Sequence, residues 1–165
     1  MRDVNIMKMK NKKTYIVIFL IIIIDLISKI LVTKFMAPNQ SIAIIKNFFS
    51  ITYVKNTGVA FSMLEGNIFF IIILTFFIVW LIFRYINSRI LNSFECFSYG
   101  LIVGGALGNL FDRIRLGYVI DFFDFNIIGY NFAIFNVADI AIVVGVFLII
   151  VFSIRGECYG NKSKW

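Results

Sequence analysis

Four stretches of the chain, residues 15–33, 68–85, 94–111 and 137–154, are built almost wholly of Ile, Leu, Val, Phe, Ala and Gly, with more polar segments between them. Each approaches the length of about 20 residues that a helix needs to cross the hydrocarbon core of a bilayer. The pattern predicts a membrane all-α protein: one integral domain over residues 1–165, folded as a four-transmembrane-helix bundle. The second span runs into Arg84 and Tyr85, whose side chains reach headgroup level. In the third, Gly100, Gly104 and Gly108 recur every fourth residue, so a neighbouring helix can come close to the backbone. Between the first two spans, Ile42 to Lys55 alternates partially through Ser50, Ile51, Thr52, Tyr53, Val54 and Lys55. Short strands are expected there, forming a small β-rich element in the first long loop.

Charge sets the orientation. Arg2, Lys8, Lys10, Lys12 and Lys13 precede the first span, Arg84 and Arg89 flank the second connection, and Arg155, Lys162 and Lys164 follow the last span. The loops 34–67 and 112–136 hold only Lys34, Lys46, Lys55, Arg113 and Arg115. By the positive-inside rule both termini are cytoplasmic and the two long loops lie outside. The net charge of +7 is thus explained by topology. No basic helix or basic-aromatic sheet pattern points to nucleic acid. The basic start followed by an apolar run also resembles a signal peptide, but the run lacks a small-residue cleavage site and continues through Asp25 and Lys29.

Composition agrees and narrows the chemistry. Hydrophobic residues make up 61% of the chain and mean hydropathy is +0.93, well above a soluble domain. Cys96 and Cys158 suggest neither a disulfide framework nor a metal site. Histidine is absent, which removes every Ser-His and Cys-His nucleophile pair. Catalysis, if present, falls to carboxylates, Lys, Tyr or Ser.

The polar residues that interrupt or border the spans gather at one level. Asp25 and Lys29 sit in the outer half of the first span, Asn56 follows the expected strands, and Asn109, Asp112 and Arg113 close the third span. Asp121 and Asp124 lie in the second outer loop, and Asn136 and Asp139 open the fourth span. Each has a plain structural reading. Asp25 and Lys29, one turn apart, can form an ion pair that anchors helix packing. Asn136 and Asp139 fit a helix N-cap, while Asp112 and Arg113 fit interfacial anchors or a local charge network. What argues for more is a further carboxylate between large apolar neighbours. Asp121, between Ile120 and Phe122, and Asp124, beside Phe125, both qualify. Two carboxylates in a poorly solvated site cannot both ionise easily, so the pair keeps one proton. One member can then activate water while the other protonates a carbonyl oxygen or a leaving amine.

The runs NTGVAF (Asn56 to Phe61), GNLFDR (Gly108 to Arg113), VIDF (Val119 to Phe122) and FNVAD (Phe135 to Asp139) resemble, in order, the motifs of lipoprotein signal peptidase, or signal peptidase II. DLISK, from Asp25 to Lys29, resembles the first-helix motif of that family. The resemblance covers nearly the whole chain. It departs at Leu26, where many members have glutamine, and at Phe61, a position that also takes tryptophan. It implies an aspartic endopeptidase of the bacterial inner membrane, acting alone without cofactor or metal. The implied reaction removes the signal peptide of a prolipoprotein before a diacylglyceryl-modified cysteine, at the outer leaflet and among membrane lipids. The catalytic pair would be Asp121 and Asp139, which decides against Asp124. Asn56, Gly58, Asn109, Asp112, Arg113 and Asn136 would position substrate and dyad. Lys29 would organise charge, and Asp25 would support the loop that carries Asn56.

Two other readings compete. A small transporter or assembly factor would use Asp25, Lys29 and Asp139 as a buried polar network, which should then continue toward the cytoplasmic side. Metal-dependent phosphoryl transfer would use Asp112, Asp121 and Asp124 as Mg²⁺ ligands.

Overall fold

The computed structural model describes residues 11–58 and 66–154. The charges at Arg2, Lys8, Lys10, Arg155, Lys162 and Lys164, together with Cys158 and the segment Val59 to Phe61, lie outside the described residues.

Helix α1 spans Lys12–Phe35, followed by strands β1 (Ser41–Ile45) and β2 (Phe49–Asn56). Then come α2 (Ile68–Ser88), α3 (Ser93–Leu116), β3 (Val119–Ile127), β4 (Tyr130–Asn131) and α4 (Val137–Ile154). All four helices are long and apolar enough to cross a membrane, and most of the apolar surface of α1, α2 and α4 faces outward, as lipid-facing helices require. α1, α2 and α3 run past their apolar stretches, α4 matches its own, and in α3 capping rather than hydropathy sets the ends. Asn92 and Glu95 form a capping box that starts α3, and Gly117, left-handed at φ +77°, terminates it.

α3 is the centre of the bundle. It packs against the other three helices, and 61% of its apolar window is buried against 11–22% for theirs. Its glycines explain how. A Cβ on Gly100 would lie 2.6 Å from the Val17 side chain, and one on Gly104 would lie 2.9 Å from Ile21, so both face α1. Gly108 lies beneath the carboxylate of Asp25, 2.7 Å from such a Cβ, so the same stripe makes room for a charged group. Gly105 faces α4, where a Cβ would sit 2.3 Å from the carbonyl oxygen of Ala138. That clash is with backbone, so α4 itself would have to move. The substitution Gly105→Ala is therefore expected to cost about 1–3 kcal/mol and to displace the first turn of α4. Thermal unfolding in detergent, compared with the milder contact change at Gly104→Ala, measures it.

The sheet is larger than the sequence suggests. Its order is β1-β2-β3-β4, all antiparallel, so both long loops contribute strands rather than the first alone. β2 and β3 pair with Val54 opposite Asp121, Lys55 opposite Ile120 and Asn56 opposite Val119. Ile120 and Phe122 pack with Tyr53 against Val32 and Met36 at the end of α1, which fixes the sheet to the bundle. At the opposite end of the bundle, Asn11 donates to the carbonyls of Ile86 (2.7 Å) and Arg89 (2.9 Å) and accepts from the Leu91 amide, tying α1 to the α2–α3 connection.

Candidate active site

At the sheet end of the bundle, β3 delivers Asp121 and the first turn of α4 delivers Asp139. Asn136 joins them. Its side-chain amide donates to Asp121 Oδ1 at 2.6 Å, while its backbone N–H donates to Asp139 Oδ2 at 3.1 Å. In return the Asp139 N–H donates to Asn136 Oδ1 at 2.9 Å, completing a capping box. The helix cap and the carboxylate pair are therefore one arrangement, so the plain reading of these residues and the chemical one coincide.

Two more asparagines finish the frame. Asn56 donates to Asp121 Oδ2 at 2.8 Å, and Asn109 donates to Asp139 Oδ1 at 2.7 Å. Asn109 Oδ1 accepts from the Asn136 amide and from Lys29 Nζ, each at 3.0 Å. Every oxygen of the two carboxylates thus accepts one hydrogen bond from an amide. Amides orient a carboxylate without competing for its proton.

The two acids differ in surroundings. Asp121 is 2% exposed, and burial together with the neighbouring Asp139 charge pushes its pKa up to about 7, against the lowering effect of the Asn56 and Asn136 hydrogen bonds. Asp139 stands in the first turn of α4, where the positive end of the helix dipole favours an anion, and it is less buried than Asp121.

Beneath the pair lies a fully buried charge cluster. Lys29 Nζ contacts Asp25 Oδ2 at 2.7 Å and Asp112 Oδ2 at 3.0 Å, and all three side chains are at most 2% exposed. Asp112 also accepts from the Ile120 N–H at 3.3 Å, holding the strand that carries Asp121. Of the two sequence readings of Asp112, interfacial anchor or member of a local charge network, the geometry matches the second: α3 extends past it to Leu116 and the carboxylate is buried against Lys29. Asp25 also reaches the fourth helix: its Oδ1 accepts from the Ala138 N–H at 3.0 Å, so it supports the start of α4. The helix start leaves the Ala138 N–H without a backbone partner, and no side-chain pattern reveals it.

Arg113 donates through Nη2 to the carbonyl of Gly58 at 2.8 Å, and Gly58 N–H donates to Asn56 Oδ1 at 2.9 Å. Arg113 thus links the third helix to the turn that aims Asn56. Its Nε, buried, has no partner among the described residues. Asp124 lies three residues beyond Asp121, hence on the other face of β3, where it accepts from Thr52 at 2.7 Å. Asp112, Asp121 and Asp124 therefore point to three different partners. Among the described residues no group of three or more His, Cys, Asp or Glu side chains is placed to hold a metal.

Comparison with known proteins decides what this frame belongs to. The family model described as signal peptidase (SPase) II matches residues 17–155. The chain belongs to the signal peptidase II family. A relative from Halothermothrix orenii, named lipoprotein signal peptidase, is 40% identical over 89% of this chain and 99% of its own. One of the same name from Thermodesulfovibrio yellowstonii is 42% identical over 87% of this chain and 96% of its own. A solved bacterial membrane enzyme superposes with TM-score 0.81 at 31% identity, covering 92% of this chain and 93% of that one. A second gives TM-score 0.77 at 33% identity, covering 86% and 92%. For a signal peptidase II the arrangement has an immediate consequence: four of the five motif runs, GNLFDR, VIDF, FNVAD and DLISK, meet within a single hydrogen-bonded frame, and Asn56 and Gly58 bring in the described part of the fifth.

Proposed function

We propose that this signal peptidase II is an aspartic endopeptidase, and that Asp121 and Asp139 hydrolyse the peptide bond before a diacylglyceryl-modified cysteine in a bacterial prolipoprotein. The observation that carries this reading is the amide frame, which clamps a buried carboxylate, Asp121, and a half-buried one, Asp139, from different elements to the same Asn136. In the resting state Asp121 holds the shared proton and Asp139 is ionised. Asp139 takes a proton from a water as that water's oxygen adds to the scissile carbonyl, and Asp121 donates a hydrogen bond to the developing oxyanion. Collapse of the tetrahedral intermediate breaks the C–N bond, with the amine receiving the proton first taken from water.

The topology we assign puts both termini in the cytoplasm and the dyad at the outer leaflet of the inner membrane. A substrate whose signal sequence is a membrane helix, and whose acyl chains occupy one leaflet, presents its scissile bond at that level. The acyl chains add affinity at about 0.8 kcal/mol per buried CH₂. The enzyme acts as a monomer among membrane lipids, without metal or other cofactor. The transporter reading is disfavoured because α3 carries no charged residue between Glu95 and Asp112, so the ionisable cluster does not continue down the bundle. The metal reading is disfavoured because Asp112 is committed to Lys29 and Asp124 to Thr52.

The test is cleavage of a diacylglyceryl-modified prolipoprotein by purified protein across pH, with and without a strong chelator. Asp121 has a raised pKa, so the competent form persists up to about pH 7 and is lost above it. The expected kcat/KM falls by about tenfold per pH unit beyond that point, and is unmoved by chelation. A rate that rises steadily through pH 7 to 9, or that vanishes with chelator, rejects this assignment.

A further inference from the structure

The β3–β4 hairpin ends in an isoleucine that the fold leaves unused. Ile128 has φ +52° and the following Gly129 φ +81°, the pattern of a tight two-residue turn whose first central position normally takes Asn, Asp or Gly. A β-branched residue rarely adopts that conformation, and here its side chain is 100% exposed. Ile127, Tyr130 and Phe132 beside it are exposed as well, as are Ile45 and Phe48 on the adjoining β1–β2 turn. The two turns are joined, since the Asn126 N–H donates to the Phe48 carbonyl at 2.9 Å. Between Asp124 and Asp139 no residue carries a charge. At the margin of the patch stands an exposed cation, Lys46.

A turn position suited to asparagine on a watery surface thus holds a large aliphatic group within an uncharged apolar patch. What covers the patch follows from its place in the chain. Phe135, one residue before Asn136 at the start of membrane-spanning α4, bridges to Phe123. From Phe123 to Ile128 is five residues of strand, at most about 17 Å at roughly 3.3 Å per residue. The patch lies within reach of the headgroup layer that α4 enters, and on that helix Ile140 and Val143 also turn apolar side chains outward.

We propose that this hairpin tip is a second membrane anchor. Ile127, Ile128, Tyr130 and Phe132, with Ile45 and Phe48, insert at the boundary of headgroups and acyl chains in the leaflet beside Asp121, and Lys46 meets anionic headgroups. Amphipathic elements of this kind bury their apolar side about 5–10 Å into the interface. Because Ile128 directly follows strand β3, which carries Asp121 seven residues earlier, the anchor fixes the height of Asp121 above the bilayer.

The test is Ile128→Cys in a Cys158→Ser background, labelled with an environment-sensitive fluorophore and reconstituted in phosphatidylethanolamine and phosphatidylglycerol liposomes. Cys96 is buried and should not react. Tyr130→Cys provides a second label site should the first variant fail to fold. Emission is expected to be quenched by a lipid bearing a nitroxide near the headgroup, to be insensitive to aqueous iodide, and to be the same at low and high protein-to-lipid ratio. Quenching by iodide rather than by the lipid would place the tip in water, and quenching seen only at high protein density would place a second copy of the chain on it. Either result overturns the proposal. The readout requires no peptidase activity, so it stands or falls separately from the catalytic assignment.

Discussion

Asp139→Asn is expected to lower kcat for prolipoprotein cleavage by about 10²–10⁴-fold or more, the range attached to a positioned acid or base, while leaving the protein folded. The folding half of that expectation rests on the cap. An asparagine at this position can still accept from the Asn136 N–H through its amide oxygen, and its own backbone N–H still reaches Asn136 Oδ1. What it cannot do is take a proton from water. Asp121→Asn should be as damaging for the complementary reason, since an amide N–H is a much weaker donor to the developing oxyanion than the carboxylic acid that Asp121 remains up to about pH 7. Asp124→Asn should stay within a few-fold of the parent, because that carboxylate faces Thr52 on the other side of the strand. Single-turnover cleavage of a diacylglyceryl substrate, beside thermal unfolding of each variant, separates the cases. Near-parent rates in folded Asp139→Asn would remove the dyad from the mechanism, and a collapse confined to Asp124→Asn would move it.

The residue types that matter were legible for physical reasons. Apolar runs of helix length report spans because lipid tolerates no unsatisfied backbone, and an ionisable residue within such a run, like Lys29, stands out because it needs a partner. The partners were only half visible. Asp25, one turn before Lys29, follows from helix geometry, whereas Asp112 joins them from α3 through tertiary packing. The sheet shows the same limit. Alternation marks β2, yet β3 reads as a loop because VIDFFDF is apolar on both faces: Ile120 and Phe122 pack toward α1, and Phe123 and Phe125 stack with Phe49 and Phe135. Its pairing with β2 also shifts register between Ile51 and Val54, a feature no one-strand pattern encodes. Choosing Asp121 over Asp124 likewise required family resemblance at the level of sequence. The fold supplies a physical ground, since only Asp121 shares Asn136 with Asp139.

The same frame predicts the largest loss of stability. Lys29→Met should destabilise the protein by about 3–5 kcal/mol, the usual penalty for removing one partner of a buried ion pair. Methionine fills similar volume, so the loss is electrostatic: Asp25 and Asp112 would face each other without the ammonium that now lies 2.7 Å and 3.0 Å from them, and Asn109 would lose a donor at 3.0 Å. Both acids are anchored to the elements that carry Asp139 and Asp121, Asp25 through the Ala138 N–H and Asp112 through the Ile120 N–H, so neither can move away without disturbing one of that pair. A cycle decides whether charge is the cause. Adding Asp25→Asn and Asp112→Asn to Lys29→Met should recover a large part of the thermal stability, because neutral amides can still accept from those N–H groups. Activity should recover less, since the Lys29 contact that orients Asn109 against Asp139 stays absent. If Lys29→Met alone unfolds at the parent temperature, or if neutralising both acids restores nothing, then the buried lysine does not compensate charge here and the dyad's geometry must be held by the asparagines and backbone alone.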